Sequence, residues 1–546
     1  MNVNPLAAPD MLTLAGMPGG LPQVMNLGQL LTQTARKYPD LPGLIHGELS
    51  HSWAAINTRV DALAHHLRAR GIQPGDRILV QLTNGLPLFE SAWAAFKLGA
   101  VWVPVNYRLT PPELAYIAES SGAVLMLTQS MFQAHVDAAQ AQSSALREVL
   151  YVDQPAYENT VLTDCRLFAA VEVKHAHPLW FFFTSGTTGR PKAAVLTHGQ
   201  MAFVVTNHLA DLLPGLRQTD RSLVVAPLSH GAGIHALLNV ARGAASVLLP
   251  GESLDCHAAF EAIERHRVSN IFTVPTILKR LAEDPAAARF DHSSLRHVIY
   301  AGAPMYKADQ QRALDTLGAV IVQYFGLGEV TGNITVLRSE EHVEDGGALM
   351  GSCGTARTGM EVAVLDEHCQ PVATGAQGEV CTRGLGVFAG YWNNPAATEA
   401  AFRGGWFHTG DLGTQDARGF VTITGRSSDM YISGGSNVYP REIEEALLTL
   451  PALAEAVVFG IPDAQWGEAG VAVLAVRDGA QMPTTAEVLA HLQPRLARYK
   501  WPRHIAFWPV LPKSAYGKLV KKDIRNEFLR QQTASAENAV AAVTAG

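Results

Sequence analysis

The chain has 546 residues, 48% of them apolar and 17% charged, a composition that folds around more than one core and predicts two to four lobes. A formal net charge of −7 argues against a nucleic-acid binder, which would carry a basic patch. Five cysteines (Cys165, Cys256, Cys353, Cys369, Cys381) show no CxxC spacing, which fits a reducing compartment rather than a disulfide framework or a zinc motif.

The first Lys or Arg is Arg36, so the positive n-region of a secretory signal is missing, and no apolar run approaches the ~18–20 residues that span a bilayer. A cytoplasmic protein with no integral membrane segment is expected. In chain order, "SWAAINTRVDALAHHLRARG" (52–71) has helical apolar spacing and stops at Gly71. "GDRILVQL" reads as a strand, "LPLFESAWAAFKLGA" as a helix and "VWVPVN" as a strand. The rhythm continues through "AVLMLT", "SLVVAPL", "ASVLLP", "NIFTVP" and "HVIYAG". Short apolar strands between helices predict an α/β fold with mostly parallel sheets covered on both faces. After about residue 350 the texture turns to short strands with Gly turns, a small β-barrel-like subdomain. A smaller α+β unit begins beyond "GRSSD" (425–429). The expected division is a large domain at 1–427, a small mobile domain at 428–532 and a disordered Ala-rich tail at 533–546.

"FFFTSGTTGRPK" (181–192) joins an apolar strand to a loop rich in glycine and hydroxyls that ends on a lysine. Gly186 and Gly189 let the backbone approach an anion, Thr184, Ser185, Thr187 and Thr188 supply donors, and Lys192 supplies charge. That is phosphate-binding chemistry. It is not a Walker A loop, because GxxxxGK[ST] is absent and Pro191 precedes the lysine.

The string "TSGTTGRPK" resembles the signature loop of the adenylate-forming superfamily: acyl- and aryl-CoA synthetases, luciferases and peptide-synthetase adenylation domains. Further matches follow in order. "FGLGE" (325–329) resembles the family's YGxTE, "TGD" stands at 409–411, and "GR" at 425–426 precedes "SGGSNVYPREIE". "PKSAYGK" ends on Lys518. The resemblance covers roughly residues 25 to 530 and is closest to AMP-forming acyl-CoA synthetases. Three positions depart from the pattern: Gly328 replaces a Thr, Phe325 a Tyr, and Ser428 the usual Lys or Asp of the hinge.

The resemblance implies activation of a monocarboxylic acid with MgATP to an acyl-adenylate, then transfer to CoA. ATP, Mg²⁺ and CoA are thus the expected partners of the acid, with no nucleic acid, and a homodimer is compatible with the reading. Lys192 and the Thr184–Thr188 loop would hold the β- and γ-phosphates, and Glu329 would ligate Mg²⁺. Gly302, Ala303 and Pro304 with Gln323, Tyr324, Phe325 and Gly326 would enclose adenine. Asp411, with Arg426 beside it, would take the ribose hydroxyls. Lys518 would reach in from the small domain to bridge carboxylate and α-phosphate. His230 would gate an acyl pocket lined by Gly231, Ala232, Gly233 and Gly328, whose small residues predict a roomy site for a medium-chain, branched or arylalkyl acid. Gly434, Gly435 and Trp466 would line the CoA channel. A carrier-loading ligase, a β-lactone synthetase relative and a non-catalytic nucleotide binder remain alternatives.

Overall fold

The structure is a computed structural model, and it describes residues 23–184, 190–251, 254–303, 305–433, 436–463, 465–513 and 519–544. Two large sheets form its frame. The first has six strands. Four of its neighbouring pairs are parallel, among Arg77–Val80, Val101–Pro104, Leu125–Thr128, Glu148–Tyr151 and Pro178–Thr184. Its edge strand Lys192–Thr197 is antiparallel. The second has nine strands, parallel from Pro42–His46 through Ala245–Leu248, Arg221–Val224, Asn270–Thr273 and His297–Tyr300 to Ile321–Phe325. Antiparallel strands close both of its ends.

Side-chain alternation sorts the strands between layers. Ile78 and Val80 point into the central core with helices Trp53–Ala69, Leu86–Leu98, His198–Asp211 and Gly231–Arg242, whereas Leu79 points outward to Leu114 and Ile117. Leu223 and Val247 face a third core with Phe260 and Leu278 on the far side of the nine-stranded sheet. The helices sit where the periodicity predicts them and end on local chemistry. Ser52 accepts the Ala55 N–H at one N-terminus, Thr110 and Glu113 form a capping box at another, and Gly99 closes a C-terminus with φ of 68°.

The expected barrel-like subdomain takes the form of an antiparallel meander of Met360–Leu365, Gly378–Gly384, Phe407–Gln415 and Val421–Arg426. Five residues later a five-stranded sheet begins at Tyr431–Ser433. Helices Pro440–Leu448 and Thr485–Leu492 cover one face of it and the last helix covers the other. This α+β unit rests on the large unit through Lys279 Nζ, which donates to the Ala454 carbonyl at 3.0 Å, and through the Arg477–Glu283 ion pair at 3.1 Å. The last helix runs Lys521–Thr544, so its backbone continues into the segment 533–544. No helix among the described residues is long and apolar enough to cross a membrane, and all five cysteines are free.

Candidate active site

Parallel sheets place ligands at the carboxyl ends of their strands. Thr184 ends one such strand and Phe325 another, and Gly302 and Ala303 follow a third. Thr184 pairs with Lys192 across the antiparallel edge, so the loop expected to bind phosphate is the connection between these two residues. Ser185, Gly186, Thr187, Thr188, Gly189, Pro304, Gly434, Gly435 and Lys518 lie outside the described residues.

Glu329 sits in a short 3-10 turn, Gly328–Val330, and is 5% exposed. Its Oε1 accepts from Thr184 Oγ1 at 2.9 Å and from the Tyr391 hydroxyl at 2.9 Å. Its Oε2 is buried and has no hydrogen-bond partner among the described residues. Lys192 Nζ lies 4.5 Å from the centroid of the Tyr391 ring. Tyr391 escaped the sequence reading. It is held beside the edge strand by the Val195 N–H to Gly390 carbonyl bond and the Ala194–Tyr391 bridge.

Asp411 and Arg426 face one another in the meander, and Arg426 Nε donates to Asp411 Oδ1 at 2.9 Å. Burial pushes the Asp411 carboxyl above its ordinary range, while the positive charges of Arg426 and Arg441 pull it back. Coulomb interaction with Asp411, and more weakly with Glu329, raises the Arg426 guanidinium. Asp411 and Glu329 thus belong to one electrostatic neighbourhood.

Tyr324 packs in the central core, its ring roughly parallel to Phe272 and His235. Strand alternation turns Gln323 to the other face, where its Oε1 accepts from Tyr300 and Gln310. Its side chain is therefore bound within the fold and not beside Tyr324. His230 precedes the helix Gly231–Arg242 and lies 4.3 Å from the Phe182 ring. Trp466 is under the Arg503 guanidinium at 4.3 Å, remote in sequence from every residue above, and Ser428 is exposed between the two units.

The glycines do not open space. A Cβ on Gly328 would stand 2.6 Å from Phe182 and 2.7 Å from Thr184, and one on Gly231 2.8 Å from Phe272. On Gly233 it would stand 2.0 Å from the Leu228 carbonyl oxygen. These positions are small because neighbours fill them, which corrects the expectation that they make the site roomy. The cavity behind them, between Trp93, Trp180, Leu228 and Gly233, measures about 20 Å³.

The AMP-binding enzyme family matches residues 31–392, and the family's C-terminal domain matches residues 442–518. A feruloyl-CoA synthase of Amycolatopsis sp is 36% identical over 505 residues, 92% of this chain and 99% of that one. A long-chain-fatty-acid–CoA ligase of Mycobacterium tuberculosis is 31% identical and covers 92% of this chain and 98% of its own. ATP-bound MatB from Rhodopseudomonas palustris has the same fold with a TM-score of 0.84 at 28% identity, over 92% of this chain and 99% of that one. The chain belongs to the AMP-binding enzyme family. Within it the chain is an acyl-CoA synthetase, an AMP-forming ligase that makes an acyl-adenylate and then a thioester.

Proposed function

We propose that this ligase activates a compact arylalkyl monocarboxylic acid, with the phosphates, magnesium and ribose of MgATP gathered by Thr184, Lys192, Glu329, Asp411 and Arg426. The buried Glu329 carboxylate carries the reading. One of its oxygens is fixed by two hydroxyls and the other is unpaired among the described residues, an arrangement that fits a divalent cation. Glu329 and Thr184 would hold magnesium, which supplies charge neutralisation to the phosphates.

A carboxylate attacking the α-phosphate brings two anions together, so fixed cations must offset the repulsion. Lys192 at the mouth of the phosphate loop is suited to the outgoing pyrophosphate. Asp411 accepts from ribose hydroxyls, and Arg426 opposes the upward push that burial exerts on its carboxyl. Lys518, by resemblance, spans carboxylate and α-phosphate in this step and leaves when the unit beyond Ser428 turns to admit CoA, with Gly434, Gly435 and Trp466 on the thiol side.

The class of acid follows from the side chains packed against Gly328 and Gly231. Phe182, His230 and Phe272 are flat, and Gly328 and Gly231 leave them no room to retreat. Flat walls stack aromatic rings well, and the 36% identical relative is a feruloyl-CoA synthase. A pyrophosphate-release panel of arylacetic, arylpropanoic and arylpropenoic acids against octanoate and palmitate tests this. The aryl acids should give the highest kcat/KM. A clear preference for palmitate would refute the aromatic reading while leaving the ligase chemistry intact.

A further inference from the structure

The meander that carries Asp411 also carries side chains that the ligase reaction leaves unused. Glu379 and Cys381 lie two apart on one strand, so they share a face, and Cys381 stands opposite His408 on the next. Between them the register breaks. Glu379 pairs with Leu412, so three residues, Thr409 to Asp411, face the single Val380. This bulge swings Glu379 over His408.

The resulting group has the donor set of a soft cation site. Glu379 Oε2 lies 2.8 Å and Cys381 Sγ 3.4 Å from the same ring nitrogen, His408 Nδ1. One ligand atom from each of the three residues fits within 4.8 Å of the others. Sulfur and nitrogen on tetrahedral zinc sit about 3.6 Å apart, so the Cys381–His408 pair is nearly placed, and the carboxylate need open by only about 0.6 Å. The other ring nitrogen, Nε2, faces the Arg403 carbonyl at 3.1 Å. With a cation bound, an Nε2–H donating to that carbonyl would leave the Nδ1 lone pair for the metal, and the proton that Nδ1 now shares with Glu379 would leave it; such a carbonyl is the usual support of a metal-bound imidazole. Cys381 is buried and the His408 side chain is 5% exposed.

We propose that Glu379, Cys381 and His408 bind one thiophilic divalent cation of the zinc class, outside the reaction centre, where it fixes the bulge that presents Asp411. The link to the bulge is direct: Glu379 Oε1 accepts the Gly410 N–H at 2.9 Å, so a cation on Oε2 would hold both ends of the carboxylate. The thiol gives its proton to solvent on ligation, and water completes the shell. Arg403 NH2 now lies 3.3 Å from Nδ1 and 3.5 Å from Glu379, occupying the cationic place. Its side chain is 58% exposed and can swing out.

The test is titration of the metal-free, full-length enzyme with Co²⁺, read by its thiolate-to-cobalt charge-transfer band in the near ultraviolet. The band should saturate at one equivalent and disappear when Zn²⁺ is added. Cys381→Ser should abolish it, and His408→Asn, which keeps the thiol, should weaken binding by about 10- to 100-fold. Cys165→Ser, at an exposed thiol, should leave it unchanged. Arg403→Ala should tighten it by about 10-fold, the worth of one nearby charge. Melting curves in chelator report whether each variant is folded. No saturable band in the unmodified enzyme, or a band that survives in Cys381→Ser, overturns the proposal.

Discussion

Glu329 is held by donors from distant parts of the chain, and each hydroxyl matters separately. Thr184 comes from the strand Pro178–Thr184, 145 residues before Glu329, and Tyr391 from a segment 62 residues after it. Tyr391→Phe removes one donor and leaves the ring under Lys192, so the fold should survive. Adenylate formation should fall by about 10-fold, the worth of one hydrogen bond to a charged group, with a raised magnesium requirement. Pyrophosphate exchange measured against magnesium concentration checks this, and unaltered kinetics would remove Tyr391 from the site. A second residue-scale case concerns stability. Lys97 is fully buried, with Nζ 2.5 Å from Asp61 and 2.7 Å from Asn57, and burial lowers its affinity for the proton. Lys97→Met strands the Asp61 carboxylate and should cost about 3–5 kcal/mol in urea unfolding, whereas Lys97→Met with Asp61→Leu should recover most of it.

At the scale of elements, the strand Pro178–Thr184 and the turn Gly328–Val330 were fitted to one another. Threonine is the family's usual residue where Gly328 stands, but here Phe182 and Thr184 occupy the volume a side chain would need. The departure is thus a packing exchange between two elements. Gly328→Ala should destabilise by about 1–3 kcal/mol and displace Glu329, with a matching loss of adenylation. Adding Phe182→Ala should relieve the crowding, so the double variant should be more active than Gly328→Ala alone. Strictly additive losses in the four-variant cycle would show that Phe182 is not what excludes the side chain.

Over the whole molecule, burial leaves several histidines without charge. His198 and His235 are lowered to about 3 and His342 to about 4, each chiefly by loss of solvent. Below about pH 6.5 the unfolded chain takes up protons that these folded sites refuse, so stability must fall as pH drops toward about 4. Each site contributes a slope of up to about 1.4 kcal/mol per pH unit. Burial raises the carboxyls Glu90, Asp411 and Glu445, which bind protons more readily when folded and act with the opposite sign. The measurement is therefore a difference: urea midpoints from about pH 7 to about pH 5 should fall less steeply in His198→Asn than in the unmodified chain. Parallel curves would mean that His198 takes up a proton as readily in the fold as in the unfolded chain.

Local pattern was enough to read the strand–helix alternation, the loop that joins Thr184 to Lys192, and the ordered motifs that mark the family. The reason is that turns, helix faces and strand runs are written in neighbours a few residues apart. Pairs that meet across layers have no such period. Nothing near Tyr391 in the chain says that its hydroxyl will reach Glu329, and nothing near Gln323 says that its oxygen will accept from Tyr300 and Gln310. Glycines misled for the same reason: their sequence shows a missing side chain, and only packing shows whether the space is empty or taken by Phe182, Phe272 and Leu228. Cysteine spacing likewise hid the Glu379–Cys381–His408 group, because a bulge in the meander, rather than a motif, brings those donors to one point. What the sequence determined was the chemistry on offer and the elements that carry it. Sheet register, bulges and close packing decided which of those groups face one another, because a shift of one residue in register sends a side chain to the opposite layer.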